Sequence, residues 1–417
     1  MIEEPPLFPS LENETTTLVQ YYFRDTCATW SSFDSEKNPF RTSIEGIWQK
    51  SPLIYYAIQR MQLMQATAFS MREKAHVAVL QQLQNASDTH STSDDQLLLA
   101  TLLLGVSACW HDSSDLGLPY LRIARSLVRA RVMRQSSSHY RPLNRNFRFF
   151  FEALVYWEMV VAFVSCESFR HILAWTSDFF PWTGPVTATV IPHPWTGIAP
   201  RVMLLFAEVG HLVQNYATTD RRAREDLNLE DLLWASIPTE DQIAEVYDNL
   251  TSKSDFVVFA EATRCAALLQ VYRCFPDVLR RRLGAGTLNL ESYLGIIELN
   301  VGSNMIDSWL VGLAMHVLNL LASIPAYSGV RCVQLLPLAT AAFELRIDPG
   351  ASYSDVEIAR FRDFVIGRLH LLGARLPLKP ISHTMQVLQE VWRRNDRGDD
   401  VFWLNVMMEK NWKTFVG

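Results

Sequence analysis

Helix chemistry with explicit starts and stops constrains this chain more than any other feature. Ser354-Asp355-Val356-Glu357 is a capping box, in which the serine side chain accepts from the backbone N–H three residues on and the glutamate reaches back to the serine N–H. Tyr353 and Ile358 flank it at the spacing of a hydrophobic staple. The pattern predicts a helix with Phe361, Phe364, Val365, Leu369 and Leu372 on one face, stopping at Gly373 in a left-handed cap. Thr239-Glu240-Asp241-Gln242, behind Pro238, is a second box and predicts a helix through Ile243, Val246 and Tyr247. From Phe256 to Tyr272 a third, mostly apolar helix carries Arg264 among Ala262, Cys265, Ala266, Leu268 and Leu269. That arginine must either snorkel to solvent or find a carboxylate, for which Glu208 and Glu261 are the candidates. The one strand pattern is the β-branched run Val186 to Ile191, between copies of Pro-Trp-Thr-Gly at 181–184 and 194–197, which reads as a small hairpin or an Ω-loop. The expectation is an all-α, multi-helical single domain with long irregular connections.

Length alone, at 417 residues, would suggest two or three domains, but no Gly/Ser-rich or Pro-rich tether divides the chain. The polar stretch Asn85 to Gln96 cannot bury enough apolar area to offset its ordering and reads as a surface loop; weaker breaks fall at 134–146, 218–228 and 346–354. Residues 1–14, acidic and Pro-rich, are expected to form a flexible arm, and 15–417 one domain. The start has neither the basic nor the apolar region of a signal peptide. The apolar run Leu97 to Trp110 is shorter than the ~18 residues a bilayer requires, and Leu310 to Ile324 is interrupted by His316 and Asn319, so a membrane is not expected as a partner.

A net charge of −6 argues against a nucleic-acid surface, leaving only local basic runs: Arg280 to Arg282, Arg221 and Arg222 with Arg224, and Arg393 and Arg394 with Arg397. Just before Gly284, the first run suits a helix C-terminus, where cations offset the macrodipole; a nuclear-import signal is the alternative. No phosphate-cradle, zinc-protease or dinucleotide motif is present, and Gly105-Val106-Ser107-Ala108-Cys109 lacks the final glycine of a nucleophile elbow. His111-Asp112 is the one tempting dyad, read chiefly as capping and packing. Trp110, Trp182, Trp195, Trp309, Trp392 and Trp403 lie near loop–helix junctions or on apolar faces, where a large ring mostly supplies core area.

The segment His193 to Val213, HPWTGIAPRVMLLFAEVGHLV, combines these signals. A Pro/Trp/Gly-rich loop feeds a helix with Val202, Leu205, Phe206, Val209 and Leu212 on one face, and Glu208 and His211 share a side of it. This segment resembles part of the fungal-specific transcription factor domain. So, in the same order along the chain, do LVQYYFRDTCATWSSFDSEKNPFR, SPLIYYAIQRMQLMQA, LLLGVSACWHDSSDLGLPYLRIAR, AEATRCAALLQVYRCFP, CVQLLPLATAAFEL, VLQEVWRRND and VFWLNVMMEKNW.

The resemblance implies a helical regulatory region, a nuclear location and control of a gene set through a DNA-bound transcription factor, a co-regulator protein or a small-molecule effector. Members of about this size resemble regulators of secondary-metabolite gene clusters. Family members usually carry six cysteines in a compact zinc cluster that binds DNA. Here the six stand at 27, 109, 166, 265, 274 and 332 with no C-x-x-C pair, so these residues are not expected to bind DNA directly. Scattered single cysteines fit a reducing compartment and pack as small hydrophobes. No cofactor, metal or catalytic residue is expected. The candidate effector or partner pocket is Trp110, His111, Trp195, Glu208 and Arg264, and a homodimer is a further option. The rival readings are a helical interaction scaffold and an enzyme without a recognised motif.

Overall fold

Each long helix packs against the next one in the chain. The computed structural model describes residues 14–62, 73–74, 76–79, 81, 92–136, 145–165, 189–214, 229–234, 237–284, 305–347, 354–376 and 378–414. The long helices are α1 (Thr92–Val106), α2 (Leu118–Ser136), α3 (Arg145–Ala162), α4 (Pro200–Gln214), α5 (Lys253–Cys274), α6 (Met305–Ser323), α7 (Asp355–Gly373) and α8 (Leu378–Asn395). Every consecutive pair from α1–α2 to α7–α8 is in contact, and α8 also packs on the short helix Ala108–His111 that follows α1. Consecutive elements are usually neighbours in space; here the rule holds along the whole run of long helices. The core is one continuous apolar cluster from Val19 to Met407, and among the described residues the fold is all-α.

Several local expectations hold in their chemistry and shift in their extent. The Ser354 box closes as read, Glu357 N–H donating to Ser354 Oγ at 3.3 Å and Ser354 N–H to Glu357 Oε2 at 3.2 Å. Tyr353, its staple partner, lies outside the described residues. α7 does not stop in a left-handed turn, because it includes Gly373 and is capped by Ala374 in right-handed geometry at φ −72°. The Thr239 box also forms, but it opens only the 3₁₀ turn Glu240–Gln242. The reason is a distant competitor: Val190 N–H donates to Gln242 O and Ala244 N–H to Val190 O, drawing Ile243 into a single parallel bridge. Val190 therefore pairs with Ile243, and residues 186–188 of the run Val186 to Ile191 lie outside the described residues. The first Pro-Trp-Thr-Gly copy, at 181–184, lies outside the described residues as well.

The polar stretch from Asn85 is loop-like in composition, yet Thr92 to Gln96 already form the first turn of α1. Asp94 and Asp95 face the positive end of that helix and pair with Arg134 and Arg131 of α2. Residues 1–13 lie outside the described set, and Glu14 already belongs to the first helix, Glu14–Tyr21. α4 is apolar nearly all round: Met203, Leu204, Ala207 and Val213 are buried as well as Val202, Leu205, Phe206 and Val209, with Leu212 half-buried. One face would suffice for a surface helix; α4 lies between α3 and α5 and buries two. Ile306–Ser323 in α6 is long and apolar enough to cross a membrane, but Leu310, Val317, Leu318 and Leu321 are buried in the core cluster and α6 contacts α5, α7 and Leu335–Ala342.

Close approach and buried cations fix the helix geometry. A Cβ on Gly105 of α1 would stand 1.9 Å from Cη2 of Trp157 on α3, so only a hydrogen lets those helices meet. Helix C-termini expose carbonyls without intrahelical partners, and buried arginines fill them. Arg60 donates to Leu104 O at 2.8 Å at the end of α1, and Arg368 to Leu321 O and Ile324 O at 3.1 Å at the end of α6.

Candidate functional site

The loop before α4 is held from every side. His193 and Gly197 exchange backbone hydrogen bonds at 2.9 Å in each direction, closing a tight turn in which Gly197 takes φ +55°. His193 Nδ1 accepts from the N–H groups of Trp195 at 3.0 Å and Thr196 at 3.2 Å, so the proton lies on Nε2, which donates to Phe149 O at 3.1 Å. Burial pushes this imidazole down to about 3, keeping it neutral. Trp195 Nε1 donates to Trp30 O at 2.9 Å, and its ring meets Trp30, Phe40 and Tyr156. Trp110 meets Trp30 edge-on at 5.5 Å. Trp110 and Trp195 thus share Trp30 as a neighbour, and Trp195 serves as a loop anchor in the core. His111 ends the short helix Ala108–His111, its carbonyl accepting from Lys379. Asp112, just past that helix end, accepts from the N–H and hydroxyl of Ser114, closing the following turn instead of starting a helix.

Glu208 leads to a different place. It is partly buried on α4, and burial together with the charge of Glu158 on α3 pushes its carboxyl up to about 7. Glu158, fully buried, forms a two-pronged pair with buried Arg125 of α2, 2.6 Å on each prong. Arg125 in turn lines an open cleft of about 520 Å³, with Arg122, Ser126, Arg129, Ala130 and Met133. These positions recur every three to four residues and so share one face of α2. The helix sequence LPYLRIARSLVRARVMRQS holds five arginines and no acid, and that bias is the signal by which the sequence could have shown the cleft. The arrangement offers one fixed guanidinium, Arg125, flanked by exposed Arg122 and Arg129, with Met133 at its edge.

Arg264 forms a third group. Of its two candidate carboxylates it takes Glu261, one turn earlier on α5, at 2.6 Å. Its guanidinium also lies 5.5 Å from the Trp234 ring centre. Cys265 Sγ donates to Glu261 Oε1 at 3.5 Å, and the ligand atoms of Glu261, Cys265 and α6 His316 lie within 4.8 Å of one another. The five candidate residues therefore take three sets of neighbours: Trp110, His111 and Trp195 around Trp30 and α8, Glu208 beside Glu158, and Arg264 on Glu261.

Three of the six described arginines in the basic runs are held in ion pairs. Arg282, near the end of Pro276–Gly284, pairs with Glu230 at 2.7 Å; Arg393 and Arg394 pair with Glu390, and Arg394 also with Glu409. Residues 221–224 lie outside the described set. The described cysteines, at 27, 109, 265, 274 and 332, are free thiols, and burial pushes Cys27, Cys274 and Cys332 up to about 12, which leaves them as packing groups at neutral pH. No cysteine cluster is present among the described residues.

An all-helical body with an arginine-lined cleft and free, mostly buried cysteines fits a regulatory domain. The family model of the fungal specific transcription factor domain matches residues 17–417, and the chain belongs to that family. It is accordingly a transcription regulator domain. Comparison with curated proteins finds no match, and comparison with solved structures finds none.

Proposed function

We propose that this chain sets the activity of a gene set, of the kind that directs secondary metabolism, by binding an anionic effector in the α2 cleft. Residues 15–417 act as one regulatory unit, working in the nucleus through a DNA-bound factor or co-regulator, without catalysis and without touching DNA themselves. A homodimer is compatible with this role. The observation that carries the reading is the cleft: Arg122, Arg125 and Arg129 share one helix face, and Arg125 is already locked to buried Glu158. An anion arriving there meets Arg125 already oriented, with Arg122 and Arg129 beside it. Through Arg125, Glu158 and Glu208 its charge reaches α3 and α4 in the core. Of the original pocket candidates, Glu208 belongs to this site, whereas Trp110, His111, Trp195 and Arg264 support the fold around it.

The test combines thermal shift with DNA binding. Acidic metabolite pools should raise the melting temperature, since a ligand that binds only the folded state adds about 2.7 kcal/mol at a hundredfold excess over Kd. The rise should vanish in an Arg122→Ala, Arg129→Ala double variant. Promoter DNA should be retained only when nuclear extract is added. An absence of any response to anions would favour a helical interaction scaffold, and tight, sequence-selective DNA binding by the pure chain would overturn the partner-mediated role.

A further inference from the structure

We propose that Glu261 and Cys265 of α5 with His316 of α6 form a zinc site that ties these two helices together. Their ligand atoms lie within 4.8 Å of one another. Glu261 and Cys265 stand four apart on α5, one above the other, and α6 packs directly on α5 to bring His316 opposite. One thiolate sulfur, one imidazole nitrogen and one carboxylate oxygen suit zinc, whose borderline softness accepts all three, with water in a fourth position. Bonds of about 2.0–2.3 Å place tetrahedral ligands roughly 3.3–3.7 Å apart, so side-chain rotations closing about 1 Å complete the shell. His316 and Glu261 are only half-buried, and Cys265 is already 3.5 Å from Glu261 Oε1.

Arg264 is the evident objection, because it already holds Glu261 at 2.6 Å. A carboxylate has about four lone-pair sites, and ligating carboxylates commonly keep a hydrogen-bonding partner behind them. Arg264 stacks toward Trp234 and can remain that partner while an oxygen of Glu261 turns to the ion. Binding is balanced by loss of the Cys265 thiol proton to solvent as the zinc–sulfur bond forms. Neither the α2 cleft nor an effector is involved, so the site stands or falls independently of the regulatory reading.

Cobalt(II) reports the site directly, since a thiolate–cobalt bond gives an ultraviolet charge-transfer band and tetrahedral coordination gives intense visible bands. The full chain should take up one equivalent with both signatures, and zinc should displace the cobalt. Cys265→Ala should lose the charge-transfer band, and His316→Gln should weaken affinity at least tenfold. Zinc should raise the melting temperature of the unsubstituted chain and of neither variant. His316 is only half-buried, so its variant keeps the test decisive if the Cys265 variant does not fold. No charge-transfer band with the unsubstituted chain, a band at full strength in the Cys265 variant, or an unchanged cobalt affinity in the His316 variant would overturn the site.

Discussion

Replacing Glu208 by glutamine isolates the least comfortable charge next to the cleft. In the folded chain burial, with Glu158 beside it, moves this carboxyl from an ordinary value near 4.5 to about 7. Each tenfold change in that proton affinity is about 1.4 kcal/mol, so holding the carboxylate ionised inside the fold costs about 3 kcal/mol. A folded value above the unfolded one means that the associated stability is complete below pH 4.5. It is lost as pH rises through 7. Glu208→Gln cannot ionise and should therefore match the unsubstituted protein at pH 5 to within about 1 kcal/mol, a neutral amide standing in for a neutral acid. At pH 8 it should be the more stable by about 3 kcal/mol. Urea unfolding at intervals from pH 5 to 8, followed by ellipticity and by tryptophan fluorescence, supplies the difference curve; coincidence of the two probes validates the free energies. Subtracting one protein from the other removes the titration of every group not coupled to Glu208. A difference that stays flat across this window to within about 0.5 kcal/mol would refute the placement of Glu208 against Glu158.

Gly105→Ala should destabilise by about 3 kcal/mol or more in the same unfolding assay, because its methyl would land on the Trp157 ring between α1 and α3; an unchanged midpoint would refute that contact. His193, held neutral with a folded value of about 3 against 6.5 unfolded, contributes stability that is full above pH 6.5 and falls away toward pH 3. His193→Gln should flatten the acid limb of the stability curve while lowering the plateau at pH 7 by about 2 kcal/mol through the loop bonds it loses. Glu158→Gln leaves buried Arg125 without its counter-charge and should cost about 3 kcal/mol, measured by unfolding, with less loss when Arg125→Met is added.

What the sequence made legible was local. The Ser354 box and the helix through Arg264 could be read because each depends on neighbours within one or two turns. The Thr239 box shows the limit: its bonds form, but Val190, about fifty residues away, takes Ile243 and ends the turn. Gly373 does end α7, but the left-handed turn that its residue type suggests does not form, because Ala374 caps the helix in right-handed geometry. The cleft was missed for a related reason. The arginines of α2 were visible, but only Glu158, 33 residues from Arg125, shows which of them is fixed and therefore able to orient an incoming charge. Arg60 and Arg368 were invisible as helix-end partners because the carbonyls they fill lie 44 and 47 residues away.

The grip of Lys379 on the His111 carbonyl, and of α8 on the short helix there, bears on how regulatory proteins of this kind are dissected. Deletion from the carboxyl end is the usual way to look for activating or inhibitory stretches. Here such a cut strips the cover from the middle of the polypeptide and uncovers apolar surface far from the missing stretch. A silent reporter after that deletion would record a damaged fold, and point substitutions at the surface are the sounder route to a map of its control.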